Sequence, residues 1–450
     1  MNFFDRFNEW LRNSLIVKIL AIGILILLLL IPSNMVEDLI RSRQYSSQQV
    51  INEVSSLWSY PQRLVGPILS IPYKEYFTDS EGKLLNTTKY AHFLPDELNI
   101  EGALEHQTRY RSIYEVIVYS TDLQLSGSFD RPDFAAFKID SSNVLWDEAY
   151  LSVGISDMRG IQNTVRLNWN GKSYDFEPGM KYHSANNNNK GGINSRLDLS
   201  AYENATYQFD FEIDLNGSQN IYFTPVGATT TVALSSAWST PSFQGAFLPD
   251  ERNVDENGFT ANWEVLSLNR SYPQQWLGNS YEFSTAQFGV DLIVPVDYYQ
   301  KSTRSAKYGI LFIALTFLLF FFVEVLNDKR IHPIQYILVG LALILFYTLL
   351  LALSEHIGFA WAYLASSVVI IGLISFYVSS IFKNAKLTLV TTAILIILYG
   401  FIYTLLQLED YALLLGSIGL LVILAFVMIY TRKIDWYKLR DHSDKSDLVE

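Results

Sequence analysis

Six stretches of the chain are apolar, almost free of formal charge, and long enough to cross a lipid bilayer. The hydrocarbon core of a membrane is about 30 Å thick, and a helix of about 20 residues spans it. Because lipid offers no hydrogen-bonding partner to backbone amides, such segments fold as helices. We therefore predict six transmembrane helices, over residues 15–32, 308–326, 334–353, 357–382, 387–408 and 411–431.

The first apolar stretch could be a membrane anchor or a cleaved signal peptide. Arg6, Arg12 and Lys18 would supply the basic region with which a signal peptide begins. However, the apolar core is long, and residues 32–35 (Pro-Ser-Asn-Met) do not form a small-x-small cleavage site. We therefore expect an uncleaved anchor.

The short loops between the apolar stretches differ in charge. Basic residues lie in alternate loops and after the last stretch: Lys329, Arg330, Lys383, Lys386, Arg432, Lys433, Lys438 and Arg440. The other loops, residues 354–356 and 409–410, contain no lysine or arginine. Because basic loops stay in the cytoplasm, residues 1–14 and 432–450 are predicted to be cytoplasmic. Residues 33–305 would then lie outside the membrane.

The long polar segment between the first two apolar stretches has the pattern of β-strands. Residues 206–214 (Thr-Tyr-Gln-Phe-Asp-Phe-Glu-Ile-Asp) alternate strictly between polar and apolar, as a half-buried strand does. Further strand candidates are residues 113–119, 227–234 and 288–296. We predict an α+β membrane protein in which a large β-rich, sandwich-like domain is inserted between transmembrane helices one and two.

Three smaller features of this segment carry their own predictions. Asn216-Gly217 is a turn signal, because both residue types accept positive φ angles. Residues 184–192, rich in asparagine and ending in two glycines, predict a loop or a boundary between subdomains. A short helix over residues 45–58 could continue outward from the anchor.

Composition and motifs argue against several classes of function. The net charge of −12 argues against a nucleic-acid partner, because phosphate binding requires a basic face. The absence of cysteine removes disulfides, thiolate nucleophiles and cysteine metal sites. No phosphate-binding glycine loop, His-Glu-x-x-His or Gly-x-Ser-x-Gly motif occurs, and the histidines are scattered. We therefore expect no catalytic residues, no metal and no cofactor.

Four polar residues near predicted helix ends are the functional candidates: Glu324, Ser354, Glu355 and His356. A charged group inside lipid is costly and usually marks function. At helix ends, however, these groups could serve as interfacial caps and turns that reach headgroups and water. Ser354 and His356 also invite a hydrolase interpretation, but neighbours in a tight loop rarely face each other as a nucleophile and its base must.

Several runs resemble one family in the order in which they occur. They are residues 64–67 (LVGP), 153–161 (VGISDMRGI), 241–243 (PSF), 308–317 (YGILFIALTF), 330–336 (RIHPIQY), 351–359 (LALSEHIGF), 412–416 (ALLLG) and 434–437 (IDWY). Together they cover nearly the whole chain and resemble the CreD family of inner-membrane proteins. The resemblance implies a bacterial multi-pass inner-membrane protein of cell-envelope integrity and stress responses, with residues 33–305 in the periplasm. It implies no catalytic residues.

Three functions remain open. The preferred one is a non-enzymatic protein, embedded in the lipid bilayer, whose periplasmic β-domain binds an envelope component or a protein partner. The alternative is a transporter or channel formed by the C-terminal helices, which would require Glu324, Glu355 or His356 to face the bundle interior. An enzyme built on Ser354, Glu355 and His356 is the third and least favoured.

Overall fold

The computed structural model describes residues 15–180, 191–200, 206–278, 281–292, 297–327, 331–408 and 411–432. The chain divides into two compact units. Of the described residues, those up to Ser46 and those from Asp297 onward form a helical unit, and those from Ser47 to Leu292 form a β-rich domain. The fold is α+β, and its β-rich domain is inserted between the first helix and the remaining helices, as predicted.

The described residues contain seven α-helices: α1 (Leu15–Trp58), α2 (Asp297–Lys307), α3 (Gly309–Leu326), α4 (Pro333–Ile357), α5 (Phe359–Phe382), α6 (Ala385–Gln407) and α7 (Ala412–Thr431). Five of them, α1 and α4 to α7, are long and apolar enough to cross a membrane. Helices α2 and α3 together form a sixth candidate, bent by 43°.

Helix α1 extends well beyond the anchor predicted at residues 15–32. It continues through Pro32 and ends at Trp58, so it includes the helix proposed for residues 45–58. No glycine or further proline occurs between Ser33 and Trp58, so nothing in that stretch interrupts the backbone hydrogen bonds. The residues of α1 from Ser47 onward belong to the β-rich domain.

The prediction that residues 354–356 form a loop is wrong. Ser354, Glu355 and His356 form the last turn of α4, which ends at Ile357. Gly358 follows with a φ angle of 76°, a conformation that favours glycine and reverses the chain before α5. A single residue therefore makes the connection.

The β-rich domain contains two sheets. The nine-stranded sheet consists of β1 (Gln62–Thr78), β2 (Leu84–Phe93), β5 (Ala149–Ile155), β8 (Glu177–Pro178), β9 (Gly192–Leu197), β11 (Asn220–Phe223), β13 (Pro241–Gly245), β16 (Gln275–Leu277) and β17 (Phe288–Leu292). The eight-stranded sheet consists of β3 (Glu97–Arg111), β4 (Tyr114–Asp130), β6 (Arg166–Trp169), β7 (Lys172–Asp175), β10 (Thr206–Ser218), β12 (Thr229–Ser236), β14 (Glu251–Asp255) and β15 (Gly258–Leu266).

Strand order is β13-β17-β11-β1-β5-β9-β8 in the first sheet, with β2 paired to β1 and β16 paired to β2. In the second sheet it is β14-β15-β12-β3-β4-β10-β6-β7. One hydrophobic core takes side chains from both sheets, including Phe223 and Phe288 from the first and Phe129, Trp169 and Trp263 from the second. The domain is therefore a sandwich, as the sequence predicts.

The strand predictions agree with the structure where it describes the residues. Residues 206–214 lie in β10, where buried and exposed side chains alternate. The candidates at 113–119, 227–234 and 288–296 overlap β4, β12 and β17, and residues 293–296 lie outside the described residues. The asparagine-rich part of the predicted loop, up to residue 190, also lies outside them, and Gly192 begins β9.

The prediction of a turn at Asn216-Gly217 is wrong. Both residues continue β10, where they pair with Ser120 and Tyr119 of β4. A Cβ atom at position 217 would overlap the Tyr119 ring, so glycine here permits a close approach within the sheet rather than a turn.

Candidate functional site

Glu324 forms an ion pair inside the helical unit. Its side chain is only 5% exposed, and Lys18 Nζ of α1 lies 2.9 Å from its Oε1 atom. The Tyr336 hydroxyl of α4 donates to its Oε2 atom at 3.1 Å, and the backbone N–H of Ile331 donates to its Oε1 atom at 3.4 Å. Glu324 is therefore not the water-exposed cap that the sequence suggests. It joins α1, α3 and α4.

Ser354, Glu355 and His356 point in different directions at the end of α4. The Ser354 hydroxyl is buried and donates to the carbonyl of Leu351 in its own helix, at 2.8 Å. Glu355 accepts a hydrogen bond of 3.1 Å from the Tyr299 hydroxyl of α2. His356 is exposed. The arrangement does not bring a nucleophile and a base together.

The contacts of Glu324 and Glu355 lie too far apart to form one site. Tyr336, which binds Glu324, is near the start of α4, and Glu355 is in its last turn. At 1.5 Å per residue, the two positions are separated by about 28 Å along the helix. They therefore mark opposite ends of the bundle.

A buried polar cluster surrounds Asp157, inside the run that sequence analysis singled out only for its family likeness. Arg159 donates to both carboxylate oxygens, from Nη2 to Oδ2 at 2.7 Å and from Nε to Oδ1 at 3.0 Å. The backbone N–H of Tyr60 donates to Oδ2 at 2.9 Å. Burial alone would raise the pKa of Asp157, but the hydrogen bonds from Arg159 and Tyr60 outweigh it and lower the pKa to about 2.

Gln62 connects three parts of the chain within this cluster. Its Nε2 atom donates to the carbonyls of Asp157 and Asn216, at 3.0 Å and 2.9 Å. Its Oε1 atom accepts from the Ser156 hydroxyl at 3.1 Å. A Cβ atom at Gly160 would overlap both Gln62 and the Asn216 carbonyl, so only glycine fits there.

The same cluster holds the C-terminal turns of α1 on the β-rich domain. Nη1 of Arg159 donates to the Ser56 carbonyl at 2.7 Å, which satisfies one of the carbonyls that a helix end leaves open. Trp58 Nε1 donates to the Tyr119 carbonyl at 3.3 Å, and the Ser218 hydroxyl donates to Ser55 Oγ at 2.9 Å. The charges of Asp157 and Arg159 are thus paired with each other, and the hydrogen bonds of the cluster fix the last turn of α1 on the sheets.

The first sheet contains a serine–histidine pair that no sequence motif predicts. Ser70 of β1 and His92 of β2 are cross-strand partners, and Ser70 Oγ lies 2.7 Å from His92 Nδ1. Burial lowers the pKa of His92 to about 4, despite a backbone hydrogen bond at Gly278. Such a pair resembles a nucleophile and its base, but both side chains are at most 1% exposed. Substrate therefore has no access, and the pair is part of the folded core.

The open face of the eight-stranded sheet has a depression of about 440 Å³. The residues that line it include small ones, Ala103, Ala233 and Ser235, and polar ones, Glu101, Gln124 and Asn262. The carboxylate and amide oxygens in this lining can accept hydrogen bonds.

A group of three carboxylates includes Asp122, which lines this depression, and two residues of the neighbouring strand β10. Oxygen atoms of Asp122, Glu212 and Asp214 are all within 4.8 Å of one another. A hydrogen bond with Asp214 and the charge of that carboxylate, together with burial, raise the pKa of Asp122. Among the described residues this group is near enough to share a cation, but it is largely exposed, and exposed acidic groups commonly occur without one. It gives that side of the sheet a negative potential.

Comparison with known proteins is consistent with this architecture. The model of the family described as Inner membrane protein CreD matches residues 14–437. The chain is 33% identical to the Inner membrane protein CreD of Escherichia coli (strain K12) over 432 residues, which is 95% of each chain.

Similar solved structures include an M1 zinc metallopeptidase from Deinococcus radiodurans. A mutant of this peptidase is 10% identical, with a TM-score of 0.21 over 38% of this chain and 39% of the other. Another structure of the peptidase is 8% identical, with a TM-score of 0.20 over 44% and 42% of the two chains. Such low TM-scores carry no argument about fold or function. The match to the family model and the alignment with the Escherichia coli protein both extend over almost the whole chain, which therefore belongs to the CreD family of inner membrane proteins.

Proposed function

We propose that this chain is a non-enzymatic, multi-pass inner-membrane protein that supports cell-envelope integrity and stress responses. In this proposal both termini are cytoplasmic and the β-rich domain lies in the periplasm. The domain binds an envelope component or a protein partner on the open face of its eight-stranded sheet. The observation that carries the proposal is the depression of about 440 Å³ on that face.

The lining of the depression limits the chemistry of what it would bind. The carboxylates of Glu101 and Asp122 and the amides of Gln124 and Asn262 are rich in hydrogen-bond acceptors. The small side chains of Ala103, Ala233 and Ser235 leave space above the sheet. A ligand with hydroxyl or amine groups fits this lining better than an anionic or wholly apolar one.

Filling the depression tests the proposal. Ala103 is exposed on β3 and lines the depression, so Ala103→Trp should block it while leaving the core intact. Gln208→Trp adds the same side chain to an exposed position of β10 outside the lining and serves as the control. In a strain that lacks the protein, we expect Gln208→Trp to restore envelope integrity and Ala103→Trp to fail, at equal amounts of folded protein. Full complementation by Ala103→Trp would contradict the proposal.

The predicted orientation has a test of its own. The chain has no cysteine, so a single introduced cysteine reports its surroundings directly. A membrane-impermeant thiol reagent applied to intact spheroplasts should label Ser80→Cys, in the exposed β1–β2 turn, and spare Lys386→Cys. The reverse pattern would contradict the assignment of the β-rich domain to the periplasm.

A transporter or channel is the second candidate, and buried hydroxyl groups favour it. Thr316, Ser366, Ser367 and Thr391 are buried within α3, α5 and α6, and their hydroxyls have no hydrogen-bond partner among the described residues. Buried polar groups usually bind a partner or ordered water. If a hydrated path passes through the bundle, cysteines at these positions should react with a small water-soluble thiol reagent. Uniform protection would argue against a pore.

A further inference from the structure

Helix α2 lies at one end of the helical bundle and packs against four other helices. It has 11 residues and contacts α3, α4, α5 and α6. Its Tyr299 hydroxyl donates to Glu355, in the last turn of α4, at 3.1 Å. Because α5 begins at Phe359, directly after the connecting Gly358, this is the end at which α4 ends and α5 begins.

The buried side of α2 consists mostly of small and polar residues. Tyr299, Ser302, Ser305 and Ala306 are buried to 3% exposure or less. The hydroxyls of Ser302 and Ser305 have no hydrogen-bond partner among the described residues. The buried side of α4, by contrast, consists mostly of large aliphatic and aromatic residues. Small side chains bury little apolar surface, and an unpaired hydroxyl opposes its own burial, so apolar burial does little to hold α2 on the bundle.

Polar contacts hold α2 in place instead. Tyr299 binds Glu355, and Lys301 and Arg304 also interact with other groups of the chain. Water can replace a polar contact at a small net cost, because the released donor and acceptor are then solvated. The same water would bind the hydroxyls of Ser302 and Ser305. Opening therefore satisfies two groups that the closed position leaves unpaired.

The junction between α2 and α3 has the features of a hinge. The two helices meet at Tyr308 with a bend of 43°. Gly309, the first residue of α3, packs so closely that a Cβ atom there would lie 3.1 Å from the Tyr347 ring. Glycine has the greatest backbone freedom of all residues, and hinges lie at a few residues where elements end. We propose that α2 is a lid on this end of the bundle, which opens about Tyr308 and Gly309 and thereby exposes Ser302 and Ser305 to water.

The lid concerns the helical unit alone, so it does not depend on binding by the β-rich domain. It would control access to buried hydroxyls that favour a channel. Thr316 of α3 and Ser366 of α5 lie about 10 Å along helices that begin at this end of the bundle. Neither hydroxyl has a hydrogen-bond partner within the described part of the chain. An open lid would therefore lead water towards them.

Thiol labelling of the full-length protein in nanodiscs tests the lid. The chain has no cysteine, so Ser305→Cys reports on the buried side of α2 and Lys307→Cys on its exposed end. A water-soluble methanethiosulfonate reagent should modify Ser305→Cys measurably but more slowly than Lys307→Cys, because Ser305→Cys reacts only while the lid is open. Tyr299→Phe removes the hydrogen bond to Glu355, and we expect it to raise the rate at Ser305→Cys roughly tenfold. The rate at Lys307→Cys should not change.

Matched variants separate a lid from a general loosening of the bundle. Tyr336→Phe removes a hydroxyl that binds Glu324 at the other end of the bundle, and it should leave the rate at Ser305→Cys unchanged. Ser302→Cys should show the same increase as Ser305→Cys in the Tyr299→Phe background, because a rigid lid exposes both positions. It also replaces Ser305→Cys if that variant does not fold.

Three results would overturn the lid. The first is that neither Ser302→Cys nor Ser305→Cys reacts by the time Lys307→Cys has reacted completely. The second is that Tyr336→Phe raises the rates as much as Tyr299→Phe does. The third is that Ser302→Cys alone responds, as it would if only the first turns of α2 frayed.

Labelling at Ser366→Cys distinguishes the lid from the channel. Reaction at Ser302→Cys and Ser305→Cys without reaction at Ser366→Cys would support the lid and reject a hydrated path beneath it. Reaction at Ser366→Cys without reaction at the two positions of α2 would overturn the lid and leave the path.

Discussion

Lys18 and Glu324 are separated by 306 positions in the sequence, yet Lys18 Nζ and Glu324 Oε1 lie 2.9 Å apart. The glutamate is 5% exposed, whereas the lysine is 35% exposed. A carboxylate removed from water in this way requires a partner, and its second oxygen is bound by Tyr336. The first helix is thus joined to α3 and α4 by a charged contact in a mostly apolar bundle.

Removing the Lys18 side chain should therefore lower the free energy of unfolding by more than removing an exposed cation does. Lys18→Met leaves the Glu324 carboxylate buried and unpaired, and we expect the free energy of unfolding in detergent to fall by about 3 kcal/mol. In Lys18→Met/Glu324→Gln, part of that loss should return, because the unpaired charge is gone. A double-mutant cycle measures this coupling.

The control for this cycle is Arg41→Met on the same helix. Arg41 is 66% exposed and lies 3.7 Å from Glu37. Exposed pairs of this kind contribute at most about 1 kcal/mol. If Lys18→Met and Arg41→Met lowered the free energy of unfolding equally, the buried pair would contribute no more to stability than an exposed one.

The sequence predicts the elements of this protein better than its polar contacts. Apolar stretches of about 20 residues can only be helices in lipid, and the alternation over 206–214 can only place one face of a strand on a core. Both patterns are local. Pairing between Lys18 and Glu324 depends on how helices that are distant in the sequence pack, and no local pattern specifies that.

The cluster around Asp157 was missed for the same reason. Its members come from the end of α1, the start of β1, the turn after β5 and the end of β10. The available signal was the run Asp157-Met158-Arg159-Gly160, in which opposite charges two residues apart precede a glycine. The spacing of these residues alone does not show that the charges are buried, so the run by itself predicts no polar cluster.

Asp157 should stabilise the protein in a way that depends on pH. Its pKa of about 2 lies below the ordinary value of 3.8, so its contribution is fully present above about pH 4 and is lost as the pH falls towards 2. Asp157→Asn removes charge-assisted hydrogen bonds, and we expect it to lower the free energy of unfolding by about 2 kcal/mol at neutral pH. The difference from the wild type should shrink between pH 4 and pH 2.

Denaturant titrations followed by tryptophan fluorescence measure this difference. Asp175→Asn is the control. The Asp175 side chain is 80% exposed, and its Oδ1 atom lies 3.4 Å from Nε of Arg166. Its effect should be small at every pH. If Asp157→Asn lowered the free energy of unfolding by the same amount at every pH from 7 to 2, the Asp157 carboxylate would not be the group that titrates.

His92 should also make the folded protein less stable as the pH falls, but over a higher pH range than Asp157 does. Burial lowers its pKa to about 4 from 6.5, so the folded protein holds the neutral form while the unfolded chain binds a proton. Stability is therefore lost as the pH falls from 6.5 towards 4, by about 2 kcal/mol at pH 5. Thermal unfolding at pH 7 and pH 5 measures the loss.

His92→Asn should abolish this part of the pH dependence while lowering stability at both pH values. His106→Asn, the same substitution at a less buried position beside Trp238, is the matched control. If His92→Asn retained that pH dependence, another group would be responsible.

A substitution at Gly217 tests the close approach between β10 and β4. Tyr119 is fully buried, and its hydroxyl donates to the Asn220 carbonyl at 2.8 Å, so its ring cannot move aside cheaply. A Cβ atom at position 217 would overlap that ring and lie 2.9 Å from Gln62 Cγ. We expect Gly217→Ala to lower the free energy of unfolding by roughly 1–3 kcal/mol, as overpacking in a core does.

Two further variants separate overpacking from the ordinary effect of adding a methyl group. Gly372→Ala, in α5 with open space around it, should be neutral or slightly stabilising, because alanine favours a helix. Tyr119→Phe removes the hydroxyl that the new methyl group would meet, so Gly217→Ala should cost less in the Tyr119→Phe background than in the wild type. Additive effects of the two substitutions would show that position 217 and the Tyr119 hydroxyl are not coupled.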